Sequence, residues 1–251
     1  MLRTSRRVIA SLALTALTST LAFAYSVQPM IYTLTPSGAR STARITVTNT
    51  RAEVLNVELQ PFSVTVDEAG KRAFTPAPSD FLIFPPQASI AGDKSQLMQV
   101  RYVGKPEMDR GKVFVLRVKQ TNSTEMVKQD AAAAMQSHLA MSLNFNTTAI
   151  VQPDSLKPAL AMTGDLVLGK DGALHGRMTN SGAGVADLTL YSWQLKRGDK
   201  VEPLALDQIR YGDAVFVMPG ASREMSLVDT IKGPAQLIIG ALPEERGGRG
   251  L

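Results

Sequence analysis

An all-β fold built as two sandwiches in tandem is what this sequence predicts, and three observations carry it. Short runs of alternating apolar residues recur along the chain, separated by turn residues. Helical periodicity is scarce: only Glu125 to Met135, with Ala131 to Ala134, offers a helical turn, and its small apolar surface makes a flexible loop the expectation. Finally, the second half repeats spacings found in the first.

The opening segment stands apart from the fold. Arg3, Arg6 and Arg7 form a basic head, Val8 to Leu21 are mostly apolar, and Ala22-Phe23-Ala24 is a small-x-small cleavage site. This reads as a secretory signal peptide over residues 1–24, with Tyr25 the new N-terminus. Its apolar run is short and rich in Ser and Thr, and no other stretch is apolar enough to cross a bilayer. The expected product is exported and soluble, with no membrane insertion after signal cleavage. Removing three arginines from the 27 Lys and Arg leaves 24 basic against 22 acidic side chains, so the high pI carries no argument for nucleic acid. Cysteine is absent, so core packing must hold the exported chain together, which fits a bacterial periplasm.

In order, Ser26 to Leu34 reads as a first strand whose Pro29 suits a sheet edge or a bulge. After the Thr35-Pro36-Ser37-Gly38 turn, Ala43 to Asn49 alternates with Ala43, Ile45 and Val47 on one face. Val54 to Val64 points Val57 and Leu59 inward and is expected to break at Pro61; Asp67 to Lys71 is a turn. Phe81 to Phe84 ends at Pro85-Pro86, Gln96 to Val103 follows the Gly92-Asp93 turn, and Val113 to Lys119 is strongly apolar. With His138 to Val151 this makes about seven strands, the pattern of an immunoglobulin-like sandwich over residues 25–153.

Counting on from Asn49 and from Asn180, Val54 matches Val185, Val57 matches Leu188, Leu59 matches Leu190 and Phe62 matches Trp193. Further on, Gly92, Leu97 and Val100 match Gly220, Met225 and Val228. A second sandwich is therefore expected over residues 154–243, set at an angle to the first, with a flexible tail over 244–251. Leu166 to Leu168 and Ala173 to Thr179 form its first hairpin. Leu188 to Leu195, Val215 to Val217, Met225 to Val228 and Gln236 to Ile239 supply the rest.

His138 to Val151 is the stretch with most to say about function. Leu139, Met141, Leu143 and Phe145 alternate with Ala140, Ser142, Asn144 and Asn146, so four large apolar side chains share one face of an extended strand. Two readings fit that pattern: an ordinary core strand, or a strand whose apolar face is kept for another protein.

Chemistry-bearing sets are missing from the sequence. His138 and His175 stand alone with no obvious carboxylate partner, and no Cys is present, so no metal site of ordinary spacing can be written and no cofactor is expected. No nucleophile elbow, phosphate loop or dinucleotide fingerprint occurs. Asp67-Glu68, Glu107 with Asp109, and Glu244-Glu245 lie in turn or tail contexts, where carboxylates stay solvated. The chain reads as a binding protein without catalytic residues.

Several segments resemble a known family, the periplasmic chaperones of the chaperone-usher pathway that assemble pili and fimbriae. Phe84-Pro85-Pro86, followed by Ile90, Gly92 and Gln99-Val100-Arg101, is similar to that family's proline and glycine stretch. Val113 to Val118 resembles its sixth strand, and the polar loop with the alternating strand ending at Pro153 resembles its F-to-G loop and G strand. Thr179-Asn180-Ser181-Gly182 and Met218-Pro219-Gly220 resemble its second domain. The resemblance implies a chaperone that lends its G strand to a pilus or fimbrial subunit lacking its last strand, and delivers that subunit to an outer-membrane usher. It assigns Leu139, Met141, Leu143 and Phe145 to the subunit's groove, at about 1.5–3 kcal/mol each before the costs of association.

The same resemblance implies a basic pair for the subunit's terminal carboxylate, an Arg on the first strand and a Lys on the G strand. Here those positions hold Pro29 or Met30 and Thr148. Arg101, Arg117 and Lys119 on neighbouring strands are the candidate replacements, or else ordinary exposed strand charges. A structural or adhesive two-domain pilus component is the alternative function. A carbohydrate-binding module is disfavoured by the scarcity of aromatics, with Trp193 the single Trp.

Overall fold

The computed structural model describes residues 25–122, 124–128, 137–141, 143–228, 231 and 233–241. The segments read as a signal peptide and as a C-terminal tail lie outside the described residues.

The first half comprises β1 (Tyr25–Gln28), β2 (Ile31–Leu34), β3 (Thr42–Asn49), β4 (Leu55–Val66), β5 (Arg72–Pro76), β6 (Phe81–Phe84), β7 (Gln87–Ile90), β8 (Ser95–Tyr102), β9 (Lys112–Gln120), β10 (Thr124–Lys128), β11 (Ser137–Met141) and β12 (Asn144–Val151). One sheet runs β1-β3-β8-β6. The facing sheet runs β2-β12-β9-β4-β5, with β7 also on β4. Alternate residues of both sheets meet in a core that includes Ile45, Val47, Met98, Val100, Leu116 and Val118. The first strand is in fact two. The chain changes sheets between Gln28 and Ile31, so β1 edges one sheet and β2 the other. Pro29 sits at that crossing, where no ladder bond is lost.

Pro61 does not break its strand. β4 runs through it, and the Pro61 carbonyl accepts a bond from the Ala77 amide at 3.0 Å, on the side away from β9. A residue's N–H and C=O leave a strand on the same side, so the proline nitrogen faces the gap between β7 and β5 and the bonds to β9 survive.

The second half comprises β13 (Leu160–Met162), β14 (Val167–Leu168), β15 (Leu174–Asn180), β16 (Ala186–Asp187), β17 (Tyr191–Arg197), β18 (Lys200–Leu204), β19 (Ile209–Arg210), β20 (Phe216–Val217), β21 (Ser222–Leu227) and β22 (Gln236–Ala241). The sheet β13-β15-β21-β19, with β14 on β15, faces β18-β17-β22 across a core containing Leu174, Met178, Leu188, Trp193 and Leu227. The chain is thus two sandwiches, each with its own core.

Asn49 and Asn180 are equivalent, as their spacing implied. Each is fully buried and bridges its own turn. The Asn49 amide donates to the Glu53 carbonyl at 2.7 Å and that of Asn180 to Gly184 at 2.8 Å. Each carboxamide oxygen accepts the backbone N–H two residues on, from Arg51 or Gly182. Each amide also reaches across to a strand carbonyl, Ile90 in one half and Val217 in the other, both at 3.1 Å.

Val57 and Leu188 both sit in their cores, but the later part of the proposed repeat register is wrong by parity. Leu97 is exposed where Met225 is buried, because Met98 is the residue that occupies Met225's place. A slip of one residue turns every side chain to the opposite face. Nor do Leu59 and Phe62 match Leu190 and Trp193. The second half inserts a short 3-10 turn, Leu188–Leu190, which leaves Leu190 exposed and carries Trp193 into the core, while Phe62 faces away from its own core.

Candidate functional site: an open strand edge beside a basic shelf

The stretch from His138 to Val151 is not one strand. Ser137–Met141 pairs antiparallel with Thr124–Lys128 as a separate two-stranded ribbon, so part of the segment read as a flexible loop is strand. Asn144–Val151 belongs to the sandwich, antiparallel to β9 along its whole length and parallel to β2 only from Thr148. Of the four residues assigned to a partner's groove, Leu139 and Met141 lie in the ribbon, and their side chains fall outside the described residues. Leu143 and Phe145 lie at the mouth of the first sandwich, half-buried and packed on its core.

The first half of β12 has one paired edge and one open edge among the described residues. The Thr148 amide donates to the Met30 carbonyl at 2.7 Å, on the β2 side. Backbone groups alternate sides along a strand, so the N–H and C=O groups of Asn144 and Asn146 face that same side, where β2 no longer reaches. The odd-numbered residues bond to β9: the Leu143 carbonyl accepts the Gln120 amide at 3.2 Å, and the Thr147 hydroxyl donates to the Leu116 carbonyl at 3.1 Å.

Tyr25 holds this half in place. Its hydroxyl donates to the Leu143 carbonyl at 2.8 Å, and its ring meets Phe145 edge-on with centroids 4.7 Å apart. Burial pushes its phenol above the usual range, which keeps it a donor. No motif marks Tyr25 in the sequence; the partners of its hydroxyl, the Leu143 and Val118 carbonyls, lie 118 and 93 residues away.

The structure separates the three candidate carboxylate anchors. Arg101 is on β8, in the other sheet, away from β12. Arg117 and Lys119 are both on β9, directly opposite Asn146 and Asn144. Arg117 Nε donates to Asn146 Oδ1 at 3.1 Å, and its guanidinium lies over the rings of Phe62 (4.5 Å to the centroid) and Phe74 (5.6 Å). A guanidinium stacked and fixed at Nε keeps its two terminal nitrogens in a plane suited to a carboxylate. Met30 and Thr148, the positions that matched the expected basic pair, do come together through their backbone bond, and neither carries charge.

His175 has a carboxylate partner that the sequence reading missed: Asp171 Oδ2 is 2.9 Å from its Nε2 on an exposed hairpin. The His175 bond holds the Asp171 carboxyl below its usual range. Among the described residues no group of three or more His, Cys, Asp or Glu is placed to hold a metal ion.

The geometry defines a class: a two-sandwich protein with a strand edge that is unpaired among the described residues, beside a basic shelf. Residues 29–157, about half of the chain, match the model of the pili and flagellar-assembly chaperones, PapD N-terminal domain. The chain belongs to this family of chaperones.

Solved structures agree in fold. The YadV chaperone is 14% identical with a TM-score of 0.54, covering 86% of this chain and 92% of that one. The Salmonella enterica structure of SafA pilin with the SafB chaperone is 16% identical, TM-score 0.52, covering 89% and 99%. The class 5 fimbriae chaperone CfaA is 10% identical, TM-score 0.51, covering 87% and 100%. No curated protein matches the chain significantly in sequence.

Proposed function

We propose that this chaperone binds pilus or fimbrial subunits in the periplasm by lending them β12, and passes them to an outer-membrane usher. The observation that carries the reading is the open edge at Asn144 and Asn146, with Leu143 and Phe145 only half-covered beside it. A subunit strand added there gains main-chain bonds from the two asparagines. Its apolar core then covers the exposed halves of Leu143 and Phe145. Arg117 and Lys119, facing the same half of the strand, are the residues assigned to the subunit's terminal carboxylate. Leu139 and Met141 extend the donated segment only if the ribbon opens. The periplasmic location rests on residues 1–24 acting as a signal peptide.

Proline substitution tests strand donation. Asn146→Pro deletes an N–H that faces the open edge, and Asn146→Ala controls for the lost side chain. The proline variant should fold like wild type yet no longer co-purify with pilus subunits from the periplasm, while the alanine variant still does. Retention of subunits by Asn146→Pro would show that this edge is not the binding edge. Recovery of the protein from the extracellular fibre would favour a structural pilus component instead.

A further inference from the structure

Besides its Nε bond to Asn146, Arg117 is held by Phe62 and Phe74, and both rings belong to the hairpin formed by β4 and β5, where they meet edge-on at 6.5 Å. The tip of that hairpin, Asp67 to Lys71, is seated on the second sandwich. Glu68 accepts the Glu224 amide at 2.8 Å and Gly70 accepts the Asp213 amide at 3.1 Å. Arg177 of the second sandwich pairs with Glu68 at 3.0 Å and with Glu224 at 3.3 Å.

Two glycines make the seat possible. Gly70 and Gly212 both have positive φ, 85° and 82°, and face each other. A Cβ on Gly70 would lie 2.3 Å from the Tyr211 carbonyl oxygen; one on Gly212 would lie 2.4 Å from that of Ala69 and 2.7 Å from Gly70 Cα. Neither clash is with a flexible side chain, so an alanine at either place must push hairpin and seat apart.

Beneath the seat, the buried Arg223 binds the receiving turn through the Tyr211, Ala214 and Phe216 carbonyls at 2.9, 3.0 and 3.1 Å. Lower on the same hairpin, Val64 is buried with Val185, Ala214 and Phe216 of the second sandwich, and Phe74 packs against that cluster.

We infer that the second sandwich is a positioning device for the anchor: by clasping the β4–β5 hairpin through Gly70, Glu68, Gly212 and Arg177, it holds Phe62 and Phe74 where they orient Arg117. This rests on the reading of Arg117 as the carboxylate anchor, and it gives the second sandwich a part in recognition without contact to the subunit.

The test uses the full chain and two readouts. The first is the side-chain Nε–H resonance of Arg117 in nitrogen-15 NMR, assigned by its disappearance in Arg117→Gln. The second is binding of a short synthetic peptide alternating valine and threonine, made as the free acid and as the C-terminal amide. Wild type should prefer the acid by roughly tenfold, the worth of one charge-assisted bond pair at a partly exposed site. Gly212→Ala lies in the other sandwich, yet it should shift or broaden the Arg117 resonance and reduce the acid preference to about twofold or less. Arg177→Glu, an exposed change that spares the glycines, should move both readouts in the same direction by less, and it carries the test if Gly212→Ala does not fold. An unmoved Arg117 resonance with an unmoved acid preference overturns the clasp. A wild type without acid preference overturns the anchor reading instead, whatever the resonance does.

Discussion

At the scale of the residue, single polar groups with distant partners decide how firmly β12 is held. Tyr25 donates its hydroxyl to Leu143 across 118 positions of sequence. Tyr25→Phe removes that bond from a carbonyl that the Gln120 amide still serves, so it should lower stability by about 0.5–1.5 kcal/mol in urea unfolding. The same phenol gives a pH signature. Its proton is held above the ordinary range in the folded state, while the unfolded chain releases it near pH 10. Its contribution is therefore present below about pH 10 and is lost as pH rises beyond it. The stability gap between wild type and Tyr25→Phe, followed from pH 7 to 11, should narrow at the alkaline end; a constant gap would contradict this. Asn180, buried and bridging three carbonyls, should cost about 2–3 kcal/mol as Asn180→Ala, read from the urea midpoint of the whole chain.

At the scale of the element, the first half of β12 has one edge paired with β9 and one open among the described residues, and proline distinguishes them. Asn146→Pro spends an N–H that faces outward, whereas Thr147→Pro removes one that faces β9, together with the hydroxyl bond to the Leu116 carbonyl. Thr147→Pro should therefore cost at least about 1–3 kcal/mol of fold stability, and Asn146→Pro much less, by thermal melts of the two variants side by side. Equal losses would mean that both edges are paired. This asymmetry is invisible in a hydrophobicity pattern. Alternation reports which face a side chain takes, and it carries no information about which edge has a neighbour.

At the scale of the whole molecule, the two sandwiches share a third apolar cluster in which Val64, Val113, Val115 and Ile150 meet Val185, Ala214 and Phe216. Two backbone bonds from the hairpin tip and one from Gly111 to the Ala183 carbonyl, at 2.8 Å, tie the halves further. A shared apolar cluster predicts one cooperative unfolding transition for the two halves. Phe216→Ala should cost about 3–5 kcal/mol and split that transition in two, as seen by calorimetry. A wild type that already melts in two steps would show that the cluster adds little coupling. The positions of Arg117 and Lys119 also belong to this scale. They lie on the same sheet as Val113 and Val115, at alternate positions along β9, so the basic shelf continues the face that the second sandwich covers.

How much of this was legible in the chain depends on how local each feature is. The all-β class, most strands of the first half and the hairpin at Gly169 to Gly172 follow from alternation and turn residues, which act over a few positions. The paired asparagines are legible because each closes its own turn, a local job with a local spacing. Non-local features were misread for one physical reason. Strand pairing and register are set by partners tens of residues away, and a one-residue slip is silent in composition yet reverses burial, as Leu97 and Met98 show. The same reason placed Leu139 and Met141 in a ribbon rather than beside Leu143, set Arg101 in the far sheet, and brought Pro61's nitrogen to a gap. By itself the sequence determined that this is a chain of two sandwiches resembling the pilus-assembly chaperones. Only the tertiary structure decided which half of which strand is open, because an edge exists only once its neighbours are in place.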